Sequence, residues 1–301
     1  MGVTWAGIDQ GDSGSLHDQQ VSPTVARAVL GARLKELREG AHLTRQEAGQ
    51  AIRASESKMS RLELGRTGFK RRDLTDLLTL YGLRDEAERA TLLALAAHAN
   101  ASGWWRDYED VVPGWFEPYL GLEQAASIIR TYEVTVVPGL LQTEAYARAV
   151  FRAGRGDAPE AEVGRQTAVR MRRQQILHRQ NPPRLWAVID EAALRRPIGG
   201  FSTMRAQIQH LLQVARLPHV KLQVLPFSAG GDTGVGAPIT MLRFAEAEVA
   251  DVVYLEHLIS AVYPSRAADL VYYRNALNRL ATRAQAPDAT AATLQRILDE
   301  T

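Results

Sequence analysis

The stretch LTRQEAGQAIRASESKMSRLELGR, Leu43 to Arg66, decides how this chain is read. Its first half opens on Thr44, followed three residues later by Glu47. That is the form of a capping box, in which the hydroxyl takes an orphan amide and the carboxylate reaches back to the cap. Its second half opens on Ser55, a favoured N-cap, and stops at Gly65, where a helix ends in left-handed backbone. Two short helices are therefore predicted, joined by a turn at Arg53-Ala54. On the second, Met59 and Leu62 share a face and must pack inward, on Ile52 and on an earlier helix through Leu34 and Leu37. Ala48, Gly49 and Ala51 are small where the helices would cross. Glu56, Ser57, Ser60 and Arg61 are left facing outward. A tight helix pair whose second member shows polar groups to solvent is a helix-turn-helix, and its second helix lies in the DNA major groove.

The charge pattern points the same way. From Arg53 to Arg72 the basic residues are Arg53, Lys58, Arg61, Arg66, Lys70, Arg71 and Arg72, opposed only by Glu56 and Glu63. The whole chain carries a net charge of only +2, so the positive charge is local. Local positive charge is the footprint of a polyanion-binding surface. The residue types divide by what they can contact. Arg61 can give two hydrogen bonds to a guanine edge, Ser57 and Ser60 can reach either base type, and Glu56 can accept from a cytosine amino group. Arg45, Gln46, Lys58 and Arg66 are expected at phosphates. A double-stranded operator is the expected partner. A homodimer is expected too, because one recognition helix reads only a few base pairs.

Outward from this stretch the texture is uneven. Residues 1–22 are rich in Gly, Ser, Asp and Gln and are expected to be a disordered tail. In residues 23–100, Val25, Val29, Leu30, Leu34 and Leu37 repeat at helical spacing, and RRDLTDLLTLYGL and DEAERATLLALAAHA add two further helices. Residues 101–120 hold three of the five tryptophans and are expected to be an aromatic linker docked on its neighbours. In residues 121–301, strand-like runs (IIRTYEVTVVPGLL, PRLWAVIDEAAL, VKLQVLPF, APITMLRF, DVVYLEHL) mix with helical ones, TEAYARAVFRAG among them with Thr143 as N-cap. The expected fold is multi-domain: an N-terminal all-α five-helix helix-turn-helix domain, then a mixed α/β (α+β) domain that senses a partner protein or a small molecule.

Other chemistries find little support. The sequence has no cysteine, which removes disulfides, thiolate catalysis and cysteine-bound zinc and fits a reducing cytoplasm. It shows no apolar run of about eighteen residues, so no membrane span is expected, and no signal peptide is read at its start. The histidines have no metal-ligand spacing, so no metal site is expected. SAGGDTGVGAP, Ser228 to Pro238, lacks the Lys-Ser/Thr ending of a P-loop and reads as a mobile loop. Asp190, Glu191, Asp251, Glu256 and His257 read as strand-end polar groups, so no catalytic residue, cofactor or enzymatic activity is assigned. The basic run with Arg165, Arg170, Arg172, Arg173 and Arg179 reads as a solvated helix face.

The helix pair resembles the phage-repressor-like family, called Xre or Cro/C1-type. The family's pattern aligns without a gap from Leu43 to Gly65, matching Thr44, Glu47, Ser55, Ser57, Ser60, Arg61, Glu63 and Gly65. The resemblance implies that Arg38 pairs with Glu63 to tie the first helix to the third. Three positions depart from it. Arg53 stands for the usual turn glycine, Arg45 for a glutamine, and Ala48-Gly49 for Leu-Ala. YLGLEQAASIIRTYEVTVVPGLLQTEAYARA is in turn similar to the start of a domain behind such modules in actinomycete regulators described as antitoxin-like. Those often neighbour a small protein thought to be their partner. This resemblance implies a transcriptional regulator or, alternatively, an antitoxin-like interaction protein that holds a small partner protein encoded nearby and autoregulates its operon.

Overall fold

Apolar residues at helical spacing build five helices in the first part of the chain: α1 (Pro23–Gly40), α2 (Arg45–Ala51), α3 (Glu56–Glu63), α4 (Arg71–Leu80) and α5 (Glu86–Ala99). The computed structural model describes residues 23–100, 103–233, 236–246, 249–264 and 266–301, so the expected tail at 1–22 lies outside the described residues. Leu30, Leu34, Met59, Leu74, Leu77 and Leu78 meet in one core, almost without solvent contact. The Asn100 side chain closes the end of α5 onto the loop before α4, accepting from the Phe69 amide at 3.0 Å and donating to its carbonyl at 2.6 Å. α1 crosses α3 closely at Gly31. A Cβ there would stand 2.6 Å from the backbone oxygens of Leu62 and Glu63.

From residue 103 on, the segment expected as an aromatic linker is folded. Trp104–Tyr108 forms a 3-10 turn, and α6 (Glu117–Ala125) follows it. Trp104, Trp105 and Tyr108 pack with Val112, Leu120 and Val169. The rest of the chain contains β1 (Ile128–Glu133), α7 (Glu144–Gly154), α8 (Glu160–Gln174), β2 (Arg184–Asp190), α9 (Glu191–Arg195), α10 (Phe201–Val214), β3 (Val220–Leu225), β4 (Ile239–Arg243), β5 (Val252–Glu256), β6 (Ala261–Val262), α11 (Ala267–Arg283) and α12 (Pro287–Glu300). The sheet order is β3-β2-β1-β4-β5-β6. β1, β2 and β3 run parallel and are joined by helical crossovers, as parallel neighbours require. β4, β5 and β6 add antiparallel neighbours beside β1. The fold is thus a helical domain followed by a domain of mixed sheet and helices.

Alternation along the strands sends side chains to two covered faces. Ile129, Leu185, Ile189, Leu222, Val224 and Leu242 pack against residues of α6, α7, α10 and α12. Tyr132, Val188, Ile239, Met241 and Val253 pack against α11. Burial on both faces explains why these strands read as nearly continuous apolar runs. The strand in IIRTYEVTVVPGLL stops at Glu133, and Gly139–Leu141 makes a 3-10 turn instead. The basic run differs most from expectation, because its arginines have built partners rather than a solvated face. Arg173 is buried on Glu123, and Arg170 donates to Gln142. Arg165 bonds Asp110, Arg172 lies over the Trp104 ring, and Arg179 donates to the Gln124 carbonyl. Among the described residues no helix is long and apolar enough to cross a membrane.

The crossing at Gly31 gives a test. Gly31→Ala gains about 1 kcal/mol of helix propensity but forces a methyl into two backbone carbonyls, an overpacking cost of about 1–3 kcal/mol. The urea midpoint of the protein should fall. A raised midpoint would mean that α1 and α3 do not approach this closely.

Candidate nucleic-acid interface

α2 and α3 start where the polar caps place them. The Thr44 hydroxyl accepts from the Glu47 amide, and the Glu47 carboxylate accepts from the Thr44 amide at 2.7 Å. The Thr44 amide and hydroxyl hold the Glu47 carboxyl below the usual carboxylate range. The Ser55 hydroxyl accepts from the Lys58 amide and opens α3. The turn between the helices is tight. A Cβ on Gly49 would lie 2.6 Å from the Ala54 carbonyl, so only glycine fits where the family pattern carries a larger residue. Arg53 adopts φ 55°, a left-handed backbone that costs a non-glycine residue free energy. Gly65 ends α3 at φ 64°. Ala51, expected at the crossing, is exposed, and Ala48 and Gly49 make the contact.

One carboxylate fixes the angles of the three helices. Glu63 of α3 has a side chain only 1% exposed. It accepts from Arg38 of α1 at 2.5 and 3.2 Å, and from Arg45 Nε of α2 at 2.9 Å. Arg38 also donates to the Leu43 carbonyl at 2.6 Å, in the loop before α2. Its hydrogen bonds to Glu63 raise the Arg38 pKa further. Buried charges persist only when paired and hydrogen-bonded, and Arg38 and Glu63 meet that condition.

With Met59 and Leu62 buried, the opposite side of α3 carries Glu56, Ser57 and Arg61 exposed and Ser60 half-buried. These four side chains occupy one solvent-facing surface that runs from the first turn of the helix to Arg61 in its last turn. Gln46 is exposed on the first turn of α2. Of the four residues expected at phosphates, two are engaged elsewhere. Lys58 Nζ lies 3.0 Å from Asp73 in the first turn of α4. Arg66 donates to the Tyr263 carbonyl at 3.0 Å and lies over the Tyr263 ring, joining the two domains, and burial lowers its pKa. Arg45 has its Nε on Glu63, while its side chain remains 37% exposed.

Three further basic residues, not assigned from the sequence, lie exposed near this surface. Lys70, Arg71 and Arg72 are exposed at the start of α4, where Lys70 is an N-cap that makes no side-chain cap bond. Cations at a helix N-terminus oppose its dipole, so these residues are poorly placed for stability alone. They are well placed to hold an anion together with the first-turn amides. The Lys-Arg-Arg run just before a helical period was the signal for them. Among the described residues no group of three His, Asp or Glu side chains stands close enough to hold a metal ion.

Residues 29–92 match the model of a family described as Helix-turn-helix domain. Residues 116–296, more than half of the chain, match a family described as Domain of unknown function (DUF5753). No curated protein and no solved structure matches the chain.

The buried Arg38–Glu63 pair yields a stability prediction. Glu63→Gln keeps the shape but leaves the buried Arg38 guanidinium only the exposed Glu39, 3.4 Å away, as a counter-charge. It should destabilise the helical domain by about 3 kcal/mol, as removal of one partner of a buried ion pair does. Equilibrium urea unfolding measures this, and an unchanged midpoint would remove the pair from its structural role.

Proposed function

The chain belongs to the family described as Domain of unknown function (DUF5753), carried behind a helix-turn-helix domain, and on that premise we propose that it is a sequence-specific transcriptional regulator of the Xre, Cro/C1 type from an actinomycete. The observation that carries this reading is the division of α3 into a buried Met59–Leu62 stripe and an exposed Glu56, Ser57, Ser60 and Arg61 face. Arg61 reads guanine, Glu56 reads cytosine, and the serines adjust to either base type. Gln46, the terminal nitrogens of Arg45, and Lys70 and Arg71 hold phosphates. Arg53, exposed and held in left-handed backbone at the turn, is a further phosphate contact. The protein acts in the cytoplasm as a homodimer on a two-fold operator, and the second domain senses a partner or a small molecule.

A second reading, an antitoxin-like protein that holds a small partner protein and autoregulates its operon, is favoured by one observation. Leu258 and Ile259 at the tip between β5 and β6 are almost wholly exposed, and an exposed apolar pair is the start of a protein contact. Co-purification of the neighbouring gene's product at a one-to-one ratio favours this reading. Tight operator binding by the protein alone favours the first.

Base reading and phosphate holding separate in a titration against the selected operator and its single-base variants at several salt concentrations. Arg61→Ala should cost about 1–3 kcal/mol on the operator and relax preference at one base pair. Lys70→Ala should weaken all sequences alike and lower the salt slope of log K by about 1 per half-site. An equal loss on every variant for Arg61→Ala would make Arg61 a phosphate contact and overturn the docking of α3.

A further inference from the structure

A cavity of about 660 Å³ lies in the second domain between the sheet, α8 and the segment from Val111 to Tyr119. That volume suits a drug-sized molecule. Strand register sets its floor. Thr131 of β1 stands opposite Thr240 of β4, which stands opposite Tyr254 of β5. Two residues further along, on the same face, β1 presents Glu133 and β5 presents Glu256, with Pro238 between them. Two inter-strand spacings put their backbones about 10 Å apart. Arg170 and Arg173 of α8 form the facing wall. The rings of Phe116, Tyr119, Phe151 and Tyr254 supply the apolar lining.

The charges of this cavity are unequally engaged. Arg173 gives two hydrogen bonds of 2.8 Å to Glu123. Arg170 donates to Gln142 at 2.8 Å and lies over the Phe151 ring. One oxygen of Glu256 accepts from the Tyr254 hydroxyl at 2.9 Å. Among the described residues the Glu133 carboxyl has no hydrogen-bond partner. Burial, and then the charge of Glu256, push it up to about 8, against the pull of Arg170 and Arg173. Two carboxyls that face one space either keep a proton on one of them or take a cation between them. With Arg173 paired to Glu123 and Arg155, also in the lining, paired to Glu162, Glu133 and Glu256 face Arg170 alone, so the unmet charge is negative once Glu133 gives up its proton.

We propose that this cavity binds a bulky, ring-bearing alkylamine, its ammonium group between Glu133 and Glu256 and its apolar body among the Phe116, Tyr119 and Tyr254 rings. Aromatic faces add to the attraction of a cation. As an effector role, the inference rests on the regulatory reading above. The cavity has a route to the DNA-binding domain. The Tyr254 ring lies 5.4 Å from the Tyr263 ring, and the Tyr263 carbonyl holds Arg66, three residues beyond the end of α3.

The test is a fluorescence titration of the full chain with dansylcadaverine and with dansyl-ε-aminocaproate, which share body and chain and differ in the terminal charge. The amine should bind at least about tenfold more tightly. Its affinity should rise with pH up to about 8. The empty cavity favours protonated Glu133 and the ammonium favours the carboxylate, so the proton must leave on binding. Glu133→Gln keeps the shape, replaces a half-buried acid that has no hydrogen-bond partner among the described residues, and should fold. It should abolish both the preference for the amine and the pH dependence. Were that variant not to fold, the pH dependence of the wild-type protein still decides. Equal or tighter binding of the carboxylate probe, a pH-independent amine affinity, an unchanged Glu133→Gln, or no binding of either probe at millimolar concentration would each overturn the proposal. The titration contains no DNA, so its failure leaves operator recognition standing, and a failure to select an operator leaves amine binding standing.

Discussion

The Glu63 carboxylate is the constraint on which the helical domain depends. It is buried where α1, α2 and α3 meet, and it takes hydrogen bonds from Arg38 and Arg45 on the other two helices. An apolar core alone sets distances between helices but tolerates sliding and rotation. A buried ion pair held by the Arg38 fork and a further Arg45 bond does not, because any slip leaves a charge without its partner. The orientation of α3, and hence the direction in which Glu56, Ser57 and Arg61 face, follows from that one group. Gly31 and Gly49 permit the close approach that brings the charges together.

The second domain applies the same rule at larger scale. Its sheet is covered on both faces, so polar groups on the strands must find partners inside. Thr131 and Thr240 satisfy each other across β1 and β4, and Gln223 donates to carbonyls near α11. Glu123 and Arg173 form a buried pair beneath Phe116 and Tyr119. Where the strands run past the packed helices, the rule is left incomplete at Glu133, beside the cavity. The same aromatic wall carries Tyr263 to Arg66, so the two domains share a contact made of rings and one guanidinium.

What could be read from the sequence was mostly local. The caps Thr44, Ser55 and Thr143 lie within three residues of the amides they hold, and each is in place. The periods that gave the helices and most strands are equally local. The Arg38–Glu63 pair spans 25 positions and came into view only through the family resemblance. For Lys58 and Arg66, spacing shows where a side chain starts but not what meets it. Their partners stand 15 and 197 positions away. The arginines of α8 read as solvated because Glu123, Asp110 and Gln142 come from other elements. Glu133 had no local signal at all, since its setting is made by β5, β4 and α8 together.

The central claim is that the exposed face of α3 reads base edges in a major groove. It is tested most directly by selecting DNA from a random pool with the purified full-length protein, then mapping guanine N7 reactivity to dimethyl sulfate in the enriched site. N7 is a major-groove atom, and an arginine fork that reads guanine covers it. The account predicts a two-fold site in which one guanine N7 in each half is protected. A pool that never enriches, or an enriched site whose guanines stay fully reactive at N7, would contradict it.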